Sequence, residues 1–266
     1  MERILCYTGS STYIGKHGMT SAREYLDQFA NLDLGRAARG GVPEVVLAEG
    51  KTARQTVAIA QRLLERIGRV LISRVPPDTL TALQQAFADT VEWTVYSEGR
   101  TLALSRPGCV PPQTGGRVGV LTAGTSDLPV AEEAIALCIE MGCQVQHAGD
   151  VGVAGLHRLF EPLRAMLDAA VDVIIVAAGM DGALPSVVAG LVDVPVIGLP
   201  TSVGYGFGGG GVGALTSMLQ TCAPGLAVVN IDNGIGAGAI AGRIANRAAA
   251  ARRAYDRQAK DRGHER

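Results

Sequence analysis

Residues 199–222 read LPTSVGYGFGGGGVGALTSMLQTC, and the build of the surrounding chain follows from this stretch. Seven of the ten residues from Gly204 to Gly213 are glycine, with Tyr205 and Phe207 set among them. Glycine loses the most backbone freedom on folding, so a fixed run of it serves close approach or unusual dihedrals. Just upstream, DVPVIGLP reads as a short buried strand that stops at Pro200. Downstream, residues 212–221 read as a helix, with Leu215, Met218, Leu219 and Cys222 at three- and four-residue spacing. A strand feeding a glycine-rich loop and then a helix presents backbone N–H groups at a helix amino end, where anions bind. The plain alternative is a surface loop with no ligand.

Working outward, the same alternation runs from Arg117 onward. Apolar strands are expected at 117–122, 143–148, 171–177, 194–198 and 226–231. Helices are expected at about 127–141, 155–168, 181–191, 212–221 and 235–250. Strands that are apolar throughout are buried on both faces, and regular alternation with helices implies a parallel sheet covered on each side. The fold class is therefore α/β, a three-layer α/β/α domain. Ligands in such sheets bind beyond the carboxyl ends of the strands. That directs attention to TAGTSDLP, HAGDVG, AAGMDGALP, the glycine loop and IDNGIGAG.

A smaller α/β unit precedes this domain. Glu44–Ala48 reads as a strand, and Thr52 as the N-cap of a helix to about Ile67. Arg69–Arg74 is a second strand, followed after Pro76-Pro77 by a helix to about Ala88. VEWTVYS and TLALSR are two further strands joined by a Glu98-Gly99-Arg100 turn. Ser21 to Asn31 reads as a short helix, and SSTYIGKHG as polar and turn-like. PGCVPPQTGG, with three prolines and three glycines and no periodicity, is the linker. The expected organisation is an amino-terminal domain over 1–106, a linker over 107–116, the larger domain over 117–250 and a basic tail over 251–266. The tail reads as a solvated, fraying helix.

Composition narrows the partners. With 47% hydrophobic and 18% charged residues, the 266-residue chain is a well-packed globular protein. A net charge of -1 gives no electrostatic reason to expect nucleic acid or acidic membrane as a partner. The longest apolar run, Val173 to Met180, is too short to span a bilayer, and MERILCYTGSS lacks the apolar stretch of a secretory signal. Cys6, Cys109, Cys138, Cys143 and Cys222 form no CxxC pair. Reduced thiols in a cytoplasmic protein are expected, and no metal site is.

Several residues could carry chemistry. Thr125, Ser126 and Asp127 either cap the following helix or bind a ribose or phosphate, with Asp127 also available as a proton acceptor. Asp150 and Asp181 either close turns and cap helices or line a site. His157 and Arg158 fit no metal-ligand spacing. Glu44, Glu49 and Lys51 suit ion pairing around a strand and turn. By its spacing Cys222 is a buried core thiol; by its place after the glycine loop it is a reactive one.

Two families share these loops. TAGTSDLP, AAGMDGALP, VIGLP with its glycine loop, and IDNGIGAG resemble the PurE superfamily, the aminoimidazole ribonucleotide carboxylases, over about residues 117–250. PurE enzymes carry a SAHR segment after the second strand and a histidine before the LP. Here those places read HAGDVG and MDGALP, which argues against purine synthesis. The closer resemblance is to LarB, the pyridinium-3,5-biscarboxylic acid mononucleotide synthases of nickel-pincer cofactor assembly. GGVPEVVLAEGKT, DVGVAGLHRL, AAGMDGALPSVVAGLV, PTSVGYGFGGGGVGALTSMLQTCAPG and VNIDNGIGAG carry that likeness over about residues 31–250, while the first 30 residues depart from the family pattern.

The resemblance implies a PurE-like domain that carboxylates the pyridinium ring of nicotinic acid adenine dinucleotide with CO2 or bicarbonate. It also implies hydrolysis of the phosphoanhydride, releasing AMP. Cys222 matches the family's nucleophile. Asp181 stands where the family has an acidic residue, commonly Glu, and is the candidate base for the ring proton. Ser126 and Asp127 would hold the nucleotide, with Asp127 close to the chemistry. Thr125, Gly179, Ser202, Gly204, Gly208, Gly209 and Gly210 complete the expected substrate-binding set. No tightly bound cofactor is implied, a divalent ion such as Mg2+ is left open, and a homo-octamer is implied. Two other readings stay open: an aminoimidazole ribonucleotide carboxylase, and a nucleotide-binding module without catalysis.

Overall fold

The computed structural model describes Leu26, residues 30–97 and residues 100–264. SSTYIGKHG, most of the Ser21–Asn31 helix and Glu98-Gly99 of the expected turn lie outside the described residues. The chain divides into two compact units, Met1–Val110 and Pro111–Arg266.

The first unit contains α1 (Arg36–Gly40), β1 (Val45–Leu47), α2 (Ala53–Arg66), β2 (Arg69–Ser73), α3 (Pro77–Phe87), β3 (Glu92–Tyr96) and β4 (Thr101–Ser105). Its sheet has the order β1-β2-β4-β3, with β1 parallel to β2 and the other pairs antiparallel. Thr52 starts α2 as expected: its hydroxyl accepts from the Gln55 N–H, and the Gln55 side chain accepts from the Thr52 N–H. One sheet face, with Val46, Val70, Ile72, Leu102 and Leu104, buries against Ile59 and Leu63 of α2 and Leu83 and Phe87 of α3.

The second unit contains β5 (Arg117–Thr122), α4 (Leu128–Glu140), β6 (Gln144–Ala148), α5 (His157–Asp168), β7 (Val173–Ala178) and α6 (Leu184–Ala189). Then follow β8 (Val196–Pro200), α7 (Val212–Leu219), β9 (Leu226–Val228) and α8 (Gly234–His264). All five strands are parallel, in the order β6-β5-β7-β8-β9. Every residue of β7 and β8 is buried, because helices cover both faces; the edge strands β6 and β9 are only partly covered. Val118, Val120, Ile175 and Ile197 pack under α4 and α8. Leu121, Ile174 and Val176 pack under α5, α6 and α7. This is the three-layer α/β/α domain expected, preceded by a smaller α/β unit. The strand order reverses between β5 and β7, so the loops leaving those two strands diverge and open a crevice at the carboxyl edge.

Three boundaries and one thiol depart from expectation for a plain physical reason. β9 stops at Val228 because the chain turns, so that the Asp232 N–H reaches the Pro200 carbonyl at 2.9 Å. α7 ends at Leu219, and only Ala214 and Met218 of it are buried, not a face through Leu215, Leu219 and Cys222. α8 continues past residue 250 to His264. Its first half is fixed by Ala237, Ala241, Ala245 and Ala249, all buried at four-residue spacing. Beyond them Arg252 pairs with Asp172 and reaches the Gly115 carbonyl at 2.9 Å, and Arg253 reaches the Thr114 carbonyl. The side chains from Ala254 to Arg262 are exposed, as the solvated reading requires. Finally, Cys109 is disulfide-bonded, so uniformly reduced thiols is the wrong expectation there; Cys138, Cys143 and Cys222 are free. Among the described residues no helix is long and apolar enough to cross a membrane.

Candidate active site

Four loops leave the carboxyl edge of the larger sheet beside the crevice and bind one another. The Met180 N–H donates to the Val203 carbonyl at 2.8 Å, joining the loops after β7 and β8. The Ser202 N–H donates to Asp232 Oδ1 at 2.8 Å, joining the loops after β8 and β9. Asp127 joins the loop after β5 to the same platform. Its Oδ2 accepts from the Gly124 N–H at 2.8 Å, and its Oδ1 accepts from the Thr201 hydroxyl at 2.6 Å.

Asp127 is 3% exposed and Thr201 fully buried, so this bridge is an internal clasp. Asp127 does not cap α4 through its side chain; it reaches back across the short turn Thr125–Asp127. The expectation of Asp127 as a catalytic group is therefore corrected to a positioning role, since both oxygens are already engaged. Thr125 and Ser126, on the outside of the turn, are exposed at the crevice. Removing a buried carboxylate strands its donors, so Asp127→Ala should lower unfolding free energy by about 2–4 kcal/mol in urea titration. Asp127→Asn, which keeps one acceptor for the Gly124 N–H and turns its new N–H toward a Thr201 hydroxyl that can rotate to accept it, should lose about 1 kcal/mol.

The glycines act mainly through close approach. A Cβ on Gly179 would sit 2.1 Å from the Val203 carbonyl oxygen, so only glycine lets the β7 and β8 loops meet. Gly182 packs on the first turn of α7, where a Cβ would meet the Ala214 oxygen at 2.6 Å. Gly210 and Gly211 take φ of +67° and +82°, a left-handed pair that turns the chain into α7. Gly204, Gly208 and Gly209 lie in the same loop, beside Ser202. The amino ends of α4, α7 and α8 all open toward this edge, where helix dipoles favour negative charge.

Asp181 stands exposed on the turn after β7, between Met180 and Gly182, both with positive φ. It caps nothing: α6 begins after Ala183 with no side-chain cap. Asp150, after β6, is ion-paired with Arg158. His147 at the end of β6 is held below the ordinary imidazole pKa by partial burial, with Glu132 opposing. Thus Thr125, Ser126, Gly179, Asp181, Ser202, Gly204, Gly208, Gly209 and Gly210 share one edge of the sheet.

Cys222 does not join them. It follows the carboxyl end of α7 and precedes β9, whose first residue pairs with Val196 at the start of β8. That is the amino edge of the sheet. β8 is five residues long, so the edges are on the order of 15 Å apart at about 3.3 Å per residue. Cys222 is also exposed, which excludes the core reading. The buried thiols contrast with it: burial pushes Cys143 up to about 11 and Cys138 higher still.

Thr201 and Asp232 escaped the sequence reading, although PTS after a strand and DNG before a helix both mark such positions. Among the described residues no group of three or more His, Cys, Asp or Glu is placed to hold a metal ion.

Both units have known relatives. Residues 24–106 match the LarB/PurE-like N-terminal domain, and residues 117–264 match AIR carboxylase. A protein of Methanocaldococcus jannaschii is 42% identical over 229 residues, covering 84% of this chain and 86% of its own. The N5-carboxyaminoimidazole ribonucleotide mutase of Thermotoga maritima is 32% identical over 135 residues, covering 48% of this chain and 74% of its own. The mutase of Methanocaldococcus jannaschii is 34% identical over 125 residues, covering 46% and 74%. The chain therefore belongs to the LarB family, in which a LarB/PurE-like amino-terminal domain precedes an AIR carboxylase domain.

Proposed function

We propose that this carboxylase-family member acts on nicotinic acid adenine dinucleotide. It carboxylates the pyridinium ring with CO2 and hydrolyses the phosphoanhydride, giving pyridinium-3,5-biscarboxylic acid mononucleotide and AMP. The observation that carries the assignment is the exposure of Cys222, the free thiol that neither burial nor packing occupies. A binding module needs no such thiol, and neither does the purine reaction.

The chemistry is nucleophilic catalysis on a cationic ring. The Cys222 thiolate adds to a ring carbon, a C–S bond forms, and the ring nitrogen takes up the electron pair. The enamine carbon so created attacks CO2. Asp181 accepts the proton from that carbon, and expulsion of sulfur breaks the C–S bond and restores the aromatic cation. The thiolate returns unchanged, so nothing is oxidised or reduced. Water then splits the phosphoanhydride, whose phosphates lie against the glycine loop and helix amino ends.

Asp181 and Cys222 stand at opposite sheet edges, so one chain alone cannot bring both to one ring. In the homo-octamer proposed here, Cys222 of one copy meets the Asp181 turn of another.

Substrate choice tests the assignment. The protein should release AMP from the dinucleotide in the presence of bicarbonate and leave aminoimidazole ribonucleotide untouched, because HAGDVG and MDGALP replace the purine enzymes' histidine-bearing segments. Turnover of the ribonucleotide with none of the dinucleotide, followed by chromatography, would overturn it.

A further inference from the structure

Tyr205 and Phe207 are the most exposed large apolar side chains among the described residues, at 83% and 111%. Few aromatic residues occur in the chain, 4% in all, and Phe87 is buried in the amino-terminal core. Two rings placed in water on a loop at the crevice therefore call for an occupant. Their setting says which kind. Glycines flank each ring at 204, 206 and 208, so no neighbouring side chain shields either face. Tyr205 has extended backbone, and Phe207 lies in the short turn Gly206–Gly208. The loop root is pinned to the Asp181 turn: Gly204 lies against Met180, a Cβ there meeting its backbone at 3.3 Å, and Met180 is itself 48% exposed.

An aromatic face attracts a cation through its quadrupole, and a planar cationic ring can also stack on it. Resting on the dinucleotide assignment above, we propose that Phe207, with Tyr205, forms the clamp that grips the pyridinium ring beside Asp181 and selects a cationic ring over an uncharged one. Adenine and a second copy of the chain are the competing occupants. Adenine carries no charge for the ring quadrupole to draw, and the copy that brings Cys222 to the Asp181 turn is told apart from the pyridinium by the sedimentation arm of the test below.

Calorimetric titration of the Cys222→Ala protein without bicarbonate, with chromatography confirming that the dinucleotide stays intact, tests this. Phe207→Ala in that background should weaken the dinucleotide about tenfold. It should leave binding of AMP, which lacks the pyridinium, unchanged, and Phe207→Tyr should restore affinity. An equal loss for AMP would place adenine on the clamp. Dissociation of the oligomer on sedimentation would make Phe207 an interface residue, and unchanged dinucleotide binding would leave it without a role; each result overturns the proposal. If the Cys222→Ala parent binds no dinucleotide at all, the substrate assignment itself fails and the clamp falls with it.

Discussion

Replacing Cys222 by alanine is expected to leave a folded protein that makes no carboxylated ring, a loss of roughly a thousandfold or more. Folding should survive because the residue is exposed and lies outside α7, so its truncation opens no cavity. Cys138 provides the contrast. It is fully buried between α4 and α8, with Sγ 3.5 Å from the Gly238 carbonyl. Cys138→Ala should lower the urea midpoint and keep turnover. Mass spectrometry of product and circular dichroism of protein separate the two effects. Carboxylation by Cys222→Ala at the wild-type rate would show that the mechanism does not pass through a thioether.

Asp181→Asn should lower carboxylation by about a hundredfold or more while leaving dinucleotide binding within a few-fold, as for loss of a general base. The side chain is exposed and caps no helix, so thermal stability should not change. This variant also probes how the site is assembled. Co-expressed with Cys222→Ala, it should recover part of the activity, because some sites then combine an intact Asp181 with an intact Cys222 from different copies. No recovery, with each variant inactive alone, would mean that both residues must belong to one chain. Unchanged turnover by Asp181→Asn would instead make the turn merely structural.

The sheet was legible because burial on both faces writes itself as unbroken apolar runs: VIIVAA and VIGLP leave no room for another reading. The glycine loop was legible for a related reason, since close backbone approach admits one residue type. Helix ends were not. Nothing in MLQTC marks a stop, and α7 ends at Leu219 only because the chain must turn to enter β9 beside β8. Periodicity therefore placed Cys222 on a helix face that does not exist. Contacts distant in sequence were equally hidden. Asp127 looks like a cap until Thr201, 74 residues away, is seen to donate to it. The long run of α8 depends in the same way on Arg252 reaching Asp172, 80 residues back.

The most direct measurement is carbon NMR of the product formed from unlabelled nicotinic acid adenine dinucleotide and carbon-13 bicarbonate. Attack of the ring carbon on CO2 requires one labelled carboxylate bonded to the pyridinium, with AMP released alongside it. AMP without label in the ring would reduce the protein to a hydrolase. A labelled dinucleotide-derived ring that also forms with Cys222→Ala would leave the carboxylase standing without its nucleophile. A dinucleotide recovered intact and unlabelled would contradict the central claim outright.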